Sequence, residues 1–199
     1  MSTPSTPTFP ELVTPRLRLR QLQVEDAPSL LAIHQDSEAM RYWGSEPFAD
    51  LAAAQEYVAT CRTGWQLPVP VTRWALQRQA DGALLGTCGL FNWDPYWRKC
   101  ALGYELARSA WGQGYMREAL ATLLPWAFKH RPLHRIEALI HPDNAASLAL
   151  ARRVGFVQEG HLRQASYWAG QYHDLVHMGL LEADLPIATD LTTSKETTP

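Results

Sequence analysis

The stretch Trp111-Gly112-Gln113-Gly114-Tyr115-Met116 decides the reading of this chain, because it sets two glycines where a strand-like run gives way to an amphipathic helix. Glycine lets the backbone turn sharply and approach a ligand closely. The first N–H groups of a helix have no partner within it and carry the positive end of its dipole, so such a junction can hold a phosphate. Downstream, Met116, Ala119, Leu120, Leu123, Leu124 and Ala127 recur at helical spacing on one stripe. Upstream, Cys100, Leu102, Tyr104 and Leu106 alternate with Ala101, Gly103 and Glu105 as in a strand. Gly-x-Gly ahead of a helix also occurs as a plain structural turn, so the motif alone leaves both readings open.

The remaining composition bounds the answer. With 199 residues, 46% of them apolar, the chain can bury one substantial core. A single domain is expected over 11–184, between disordered polar tails at 1–10 and 185–199. A net charge of -2 argues against a general nucleic-acid or anionic-membrane binder. Cys61, Cys88 and Cys100 show neither metal-ligand spacing nor even pairing, so no metal is expected. With no secretory apolar segment and no run of roughly 18 to 20 apolar residues, the reading is a cytoplasmic, non-membrane protein.

Along the chain, alternation marks strands at 16–22, 73–78, 84–91, 99–107, 135–141, 156–163 and 172–182. Helices are expected near 25–34 and 50–61, after Gly114 with a kink at Pro125, and at 144–153. The loop Met40 to Phe48, too aromatic for an ordinary linker, is expected to pack over something.

The second motif lies further on, in Asn144-Ala145-Ala146-Ser147 through Gly155-Phe156, where Asn144 suits a helix N-cap and Gly155 a helix end. Together with the glycine turn and the order of elements, it makes residues 12 to 182 resemble the Gcn5-related N-acetyltransferase (GNAT) superfamily. Leu17-Arg18-Leu19-Arg20, Gly103-Tyr104-Glu105-Leu106 and Tyr172-His173-Asp174 are similar to the RimJ/RimL branch, which acetylates N-terminal amines of ribosomal proteins. The resemblance implies an α/β (α+β) fold with a mixed, mostly antiparallel sheet of about seven strands, flanked by about four helices and splayed at strands 4 and 5. It implies acetyl-CoA as cosubstrate. Gly112, Gln113, Gly114, Tyr115 and Met116 would hold its pyrophosphate, Leu106 and Ala107 would offer backbone to the pantetheine amides, and Asn144 and Ser147 would meet the same arm. Two positions depart from the superfamily pattern, which asks for Gln or Arg at Trp111 and Gly or Ala at Met116.

The proton-transfer groups depart further. Many members carry a glutamate base where this chain has Ala101 and a tyrosine acid where it has Ala151. The branch's serine is kept as Ser147, while its glutamate near Ser166 is not. Ser147 is therefore the expected acid. Glu105 is the nearest replacement base, acting through water, unless it is a surface carboxylate or pairs with Arg98 or Arg108. Glu159, His141, His173 and Asp174 follow it. Tyr42, Trp43, Phe48, Trp93, Tyr96 and Trp168 are expected to meet the acceptor, and Trp43 and Trp93 alternatively a dimer contact.

Deprotonating a lysine amine at pH 7 costs about 4.5 kcal/mol, but an α-amine only about 1. Weak base machinery thus favours an N-terminal α-amine, attacking directly in a ternary complex. A small amine such as an antibiotic, polyamine or amino acid is the alternative acceptor, and a non-catalytic acyl-CoA sensor the alternative of another class. Edge strands near the C-terminus allow a homodimer as well as a monomer.

Overall fold

A computed structural model describes residues 8–186; the rest of both expected tails, 1–7 and 187–199, lies outside the described residues. One eight-stranded sheet organises the chain: β1 (Leu12–Val13), β2 (Leu17–Gln21), β3 (Thr72–Arg78), β4 (Leu84–Asp94), β5 (Lys99–Leu106), β6 (Arg135–Ile140), β7 (Val157–Trp168) and β8 (Gln171–Leu181). The order across it is β1-β2-β3-β4-β5-β6-β8-β7. All neighbours are antiparallel except β5 and β6. The described residues form five α-helices: α1 (Ala27–His34), α2 (Ser37–Met40), α3 (Leu51–Gly64), α4 (Tyr115–His130) and α5 (Ala145–Arg153). The two-residue β1 and the single turn α2 are the additions to the expected seven strands and four helices; neither is long enough to show a period.

Alternation on β3 divides the core. Trp74 and Leu76 face one side, where they pack with the apolar stripe of α4 (Met116, Ala119, Leu120, Leu123, Leu124) and with Leu148 and Ala151 of α5. Ala75 faces the other, with Leu30 and Ile33 of α1 and Ala54, Val58 and Cys61 of α3. Each fully buried leucine gains about 1.5–3 kcal/mol over an exposed one, so the two faces together fix the register of the sheet. Helix α4 runs through Pro125 without interruption, although that residue has no N–H for the carbonyl of Ala121. The N-terminal tail joins the fold earlier than expected, since Phe9 packs edge-on against Trp65 and Trp74, and the Trp74 indole N–H donates to the Pro10 carbonyl at 2.6 Å.

One irregularity positions everything functional. The parallel pair β5 and β6 matches only at Lys99 with Arg135, Cys100 with Ile136 and Ala101 with Glu137. Both strands continue beyond, to Leu106 and Ile140, without pairing to each other. They are the fourth and fifth long strands in chain order, and from Leu102 the β5 edge facing β6 has no strand partner.

Candidate active site

At the open end of that V the chain turns through the glycine segment into α4. Gly112 and Gly114 have φ of 70° and 75°, the left-handed region that glycine tolerates best. No atom lies within 4 Å of where a Gly112 Cβ would sit, so its backbone is open to a ligand. Helices α2, α3 and α5 are each capped by a side chain (Asp36, Asp50 and Asn144), whereas α4 begins at Gly114 with none. A helix start without a side-chain cap suits an anion, which fits the pyrophosphate of a CoA thioester. The side chains of Tyr115 and Met116 turn into the core, so only their backbone is available to a ligand here. Gln113 is held in place: its side-chain amide donates to the Ser109 carbonyl at 2.8 Å, and its own carbonyl accepts from Arg16 at 2.9 Å.

Leu106 and Ala107 are less free than the resemblance implied. The Trp111 indole N–H donates to the Leu106 carbonyl at 3.0 Å, which gives the departing Trp111 a structural task. Ala107 donates to Leu85 and accepts from Ala110, both at 2.8 Å. Across the V, the Asn144 carboxamide oxygen accepts the Ser147 N–H at 3.1 Å. Among the described residues, no hydrogen bond engages the side-chain NH2 of Asn144. The Ser147 hydroxyl lies 2.6 Å from that of Tyr104 on β5, a partner that sequence reasoning missed. Burial pushes the Tyr104 phenol up to about 12, with the Ser147 contact pulling it back. Tyr104 therefore stays protonated and can supply Ser147 with a hydrogen bond or a proton.

The opposite face of β5 carries Glu105. It is buried, with 6% exposure, and its partner is Arg73 of β3 rather than Arg98 or Arg108. Arg108 pairs instead with Asp36 at 2.9 Å. The Arg73 side chain crosses two strands because glycines leave it room: a Cβ at Gly89 would lie 3.1 Å from its Cδ, and one at Gly103 3.6 Å from Nη1. Its Nε donates to the Thr87 hydroxyl at 2.7 Å, and Thr87 in turn donates to Glu105 at 2.5 Å. Burial raises the Glu105 pKa, with Arg73 and Thr87 pulling against it. For Arg73 burial is the largest single effect and lowers the pKa, but the combined attraction of Glu105, Tyr57, Cys61 and Cys88 raises it overall. Trp43 lies on the guanidinium, 5.1 Å from ring centre to Cζ, and His34 stacks on Phe48 at 3.7 Å beside it. Tyr57 completes this group.

A second aromatic group stands at the end of β6. Tyr42 stacks on His141 at 4.7 Å, and Trp168 stacks on His173 at 3.6 Å. The Asp143 N–H donates to His141 Nδ1 at 3.1 Å, which leaves the ring proton on Nε2 to meet His173 Nδ1 at 3.3 Å. His173 Nε2 then donates to the Trp168 carbonyl at 3.2 Å. Every ring nitrogen of the two imidazoles thus has a partner. Burial lowers the His141 pKa, Asp143 opposes this, and His173 and Arg41 add to it. Glu46 ties the aromatic loop across to the β7–β8 turn by accepting the Ala169 N–H at 2.8 Å. Trp93 is not brought to either group; it packs on the main core and donates to Leu90 at 3.3 Å. Tyr96 stands 83% exposed beside Trp97 at the tip of the β4–β5 hairpin. Ala101 sits at the last paired position of the V, and Ala151 is in the core.

A family model described as an acetyltransferase (GNAT) domain matches residues 16–157. The chain belongs to the GNAT acetyltransferases. Among sequences, it is similar to the uncharacterized N-acetyltransferase p20 of Bacillus licheniformis, 31% identical over 173 residues, covering 87% of this chain and 97% of that one. Among solved structures, it shares its fold with a Salmonella typhimurium acetyltransferase that modifies the N-terminal serine of a ribosomal protein (TM-score 0.76, 24% identity, 85% and 97% of the two chains). The fold is also that of the Vibrio cholerae spermidine N-acetyltransferase, solved with CoA and spermine (TM-score 0.74, 23% identity, 85% and 97%). This GNAT chain is thus an enzyme of acetyl transfer, and the acyl-CoA sensor reading falls. No helix among the described residues is long and apolar enough to cross a membrane, and no group of His, Cys, Asp or Glu among them could hold a metal.

Proposed function

We propose that this GNAT enzyme transfers an acetyl group from acetyl-CoA to an N-terminal α-amine of a protein or peptide. One observation carries the choice of acceptor: the buried carboxylate on the acceptor face, Glu105, is already neutralised by Arg73. Asp174 and Glu46 are likewise engaged, the first by His161 and the Gln164 N–H, the second by the Ala169 N–H. A polyamine needs unpaired carboxylates to match several ammonium charges, and a lysine needs a strong base. An α-amine needs neither. The fold shared with the enzyme acting on an N-terminal serine supports the same reading.

Acetyl-CoA supplies the activated thioester. In this reading the uncapped amides of α4 hold its pyrophosphate, the unpaired β5 edge and Asn144 align its pantetheine arm, and the amine attacks directly in a ternary complex. Ser147 gives its proton to the departing sulfur and is resupplied from Tyr104. Glu105, tied to Arg73, takes up the released amine proton through water. The aromatic loop at Tyr42 and Trp43 and the turn after Trp168 flank the incoming chain. The three buried, unbridged cysteines suit a reducing cytoplasm.

CoA release from acetyl-CoA, measured with seryl and alanyl peptides, spermidine and free amino acids, tests the proposal. Peptides are expected to turn over fastest. Turnover confined to spermidine or to free amino acids would overturn the choice of acceptor.

A further inference from the structure

Arg73 has one nitrogen to spare. Its Nε and Nη2 bind Thr87 and Glu105, whereas Nη1 makes no hydrogen bond among the described residues. It is also not sealed away, since the buried side-chain nitrogens and oxygens lacking a partner among the described residues are those of His34, Trp65 and Thr72. An unbonded guanidinium N–H in a protein interior is costly unless something visits it. Nη1 lies over Gly103, two residues past the point where β5 and β6 part, with the Phe91 ring also against Gly103 and Trp43 over the guanidinium. Glycine at 103 is what lets the Phe91 ring and the guanidinium approach β5 so closely: a Cβ there would come within 2.9 Å of the Phe91 ring.

We infer that Arg73 Nη1 donates a hydrogen bond to the carbonyl oxygen next to the acceptor amine, so that the site selects amines whose α-carbon bears a carbonyl group. This rests on the α-amine reading above. A neutral oxygen suits the position. Glu105 already balances the Arg73 charge, so a full carboxylate would leave one negative charge uncompensated in a buried site. A peptide carbonyl satisfies the donor without that cost. The same N–H discriminates against simple alkylamines, which would leave it unsatisfied while displacing water. Arg73 is a specificity residue here, and it takes no proton.

The test compares a seryl tripeptide amide with its isostere in which a trans alkene replaces the first peptide bond, using rates expressed per free amine. Wild type is expected to favour the peptide by about tenfold or more in kcat/KM, carried mainly by KM. In Arg73→Lys, which keeps a cation opposite Glu105 but loses Nη1, the preference is expected to collapse toward unity. Equal use of peptide and isostere by wild type overturns the inference while leaving the α-amine reading standing, and needs no variant. An equal fall in kcat for both substrates in Arg73→Lys also overturns it, because that is the behaviour of a group acting on the thioester or on the fold. Turnover of spermidine with no peptide turnover overturns the α-amine reading and the inference with it.

Discussion

The Tyr104 hydroxyl lies 2.6 Å from the Ser147 hydroxyl, joining β5 to α5 across the V where the two parallel strands separate. Tyr104 also reaches toward the Ser147 carbonyl, at 3.4 Å, and Asn144 fixes the Ser147 amide. Three contacts, one to the side chain and two to the backbone, thus hold Ser147 beside the groove. If Ser147 protonates the leaving sulfur, Ser147→Ala is expected to lower kcat about a hundredfold with little change in KM for acetyl-CoA. Tyr104→Phe leaves the serine in place but cuts its supply, and about a tenfold loss in kcat is expected. The double variant should then lose no more than Ser147→Ala alone, because both act through one proton. Steady-state CoA release for the four proteins measures this; additive losses would separate the two residues.

The glycine cradle gives a second prediction, in which stability and binding part company. Alanine at Gly112 meets no neighbouring atom, so it costs only the left-handed conformation, about 1–2 kcal/mol. Its effect on CoA should be larger, because the added Cβ enters the space that the pyrophosphate occupies in our reading. An increase of about tenfold or more in KM for acetyl-CoA, with kcat retained, is expected. Gly86 shows the contrast. A Cβ there would sit 2.1 Å from the Glu105 carbonyl oxygen, so Gly86→Ala should fail in folding rather than in binding. Urea titrations beside KM measurements distinguish the two effects.

These positions also show what the sequence made legible. The stripe from Met116 to Ala127 and the Gly-x-Gly ahead of it are local patterns, and the structure places both as the period requires. Strand alternation even set Tyr104 and Glu105 on opposite faces, where they are found. Their partners were hidden because each contact spans a long separation. Tyr104 meets Ser147 43 residues later, and Glu105 meets Arg73 32 residues earlier, diagonally across two strands. That diagonal depends on Gly89 and Gly103 lying side by side, a register that alternation alone does not give. The loop aromatics were misjudged as one set for a similar reason. Composition groups Trp43 with Trp93, whereas the sheet separates them onto different cores.

The Arg73–Glu105 pair carries a third prediction. Removing one partner of a buried ion pair leaves the other uncompensated, at a cost of about 3–5 kcal/mol. Glu105→Gln keeps the shape and removes the charge, so a loss of about 3 kcal/mol in urea denaturation is expected. Its effect on turnover of α-amine peptides should be smaller, under about tenfold in kcat/KM, because an α-amine is substantially deprotonated near pH 8 without help. A loss of a thousandfold with stability retained would instead make Glu105 an essential base.

The last prediction concerns pH and stability through His34. The side chain is 2% exposed, its Nδ1 accepts the Phe48 N–H at 3.4 Å, and its Nε2 has no partner among the described residues. Burial, reinforced by Arg73, lowers its pKa from 6.5 to about 4. The fold therefore holds the ring neutral while the unfolded chain protonates it below pH 6.5. Because the folded-state pKa is the lower one, the contribution is complete above pH 6.5. It is lost as the pH falls toward 4, amounting to about 3 kcal/mol at 1.36 kcal/mol per unit. Carboxylates titrate over the lower part of the same window, so the measurement is a difference between wild type and His34→Phe, which preserves the stack on Phe48. Urea unfolding from pH 7.5 to 4 should show a shallower decline in the variant. Its stability relative to wild type should rise as pH falls, helped throughout by the loss of the unsatisfied Nε2. Parallel curves for the two proteins would show that His34 does not resist protonation in the fold.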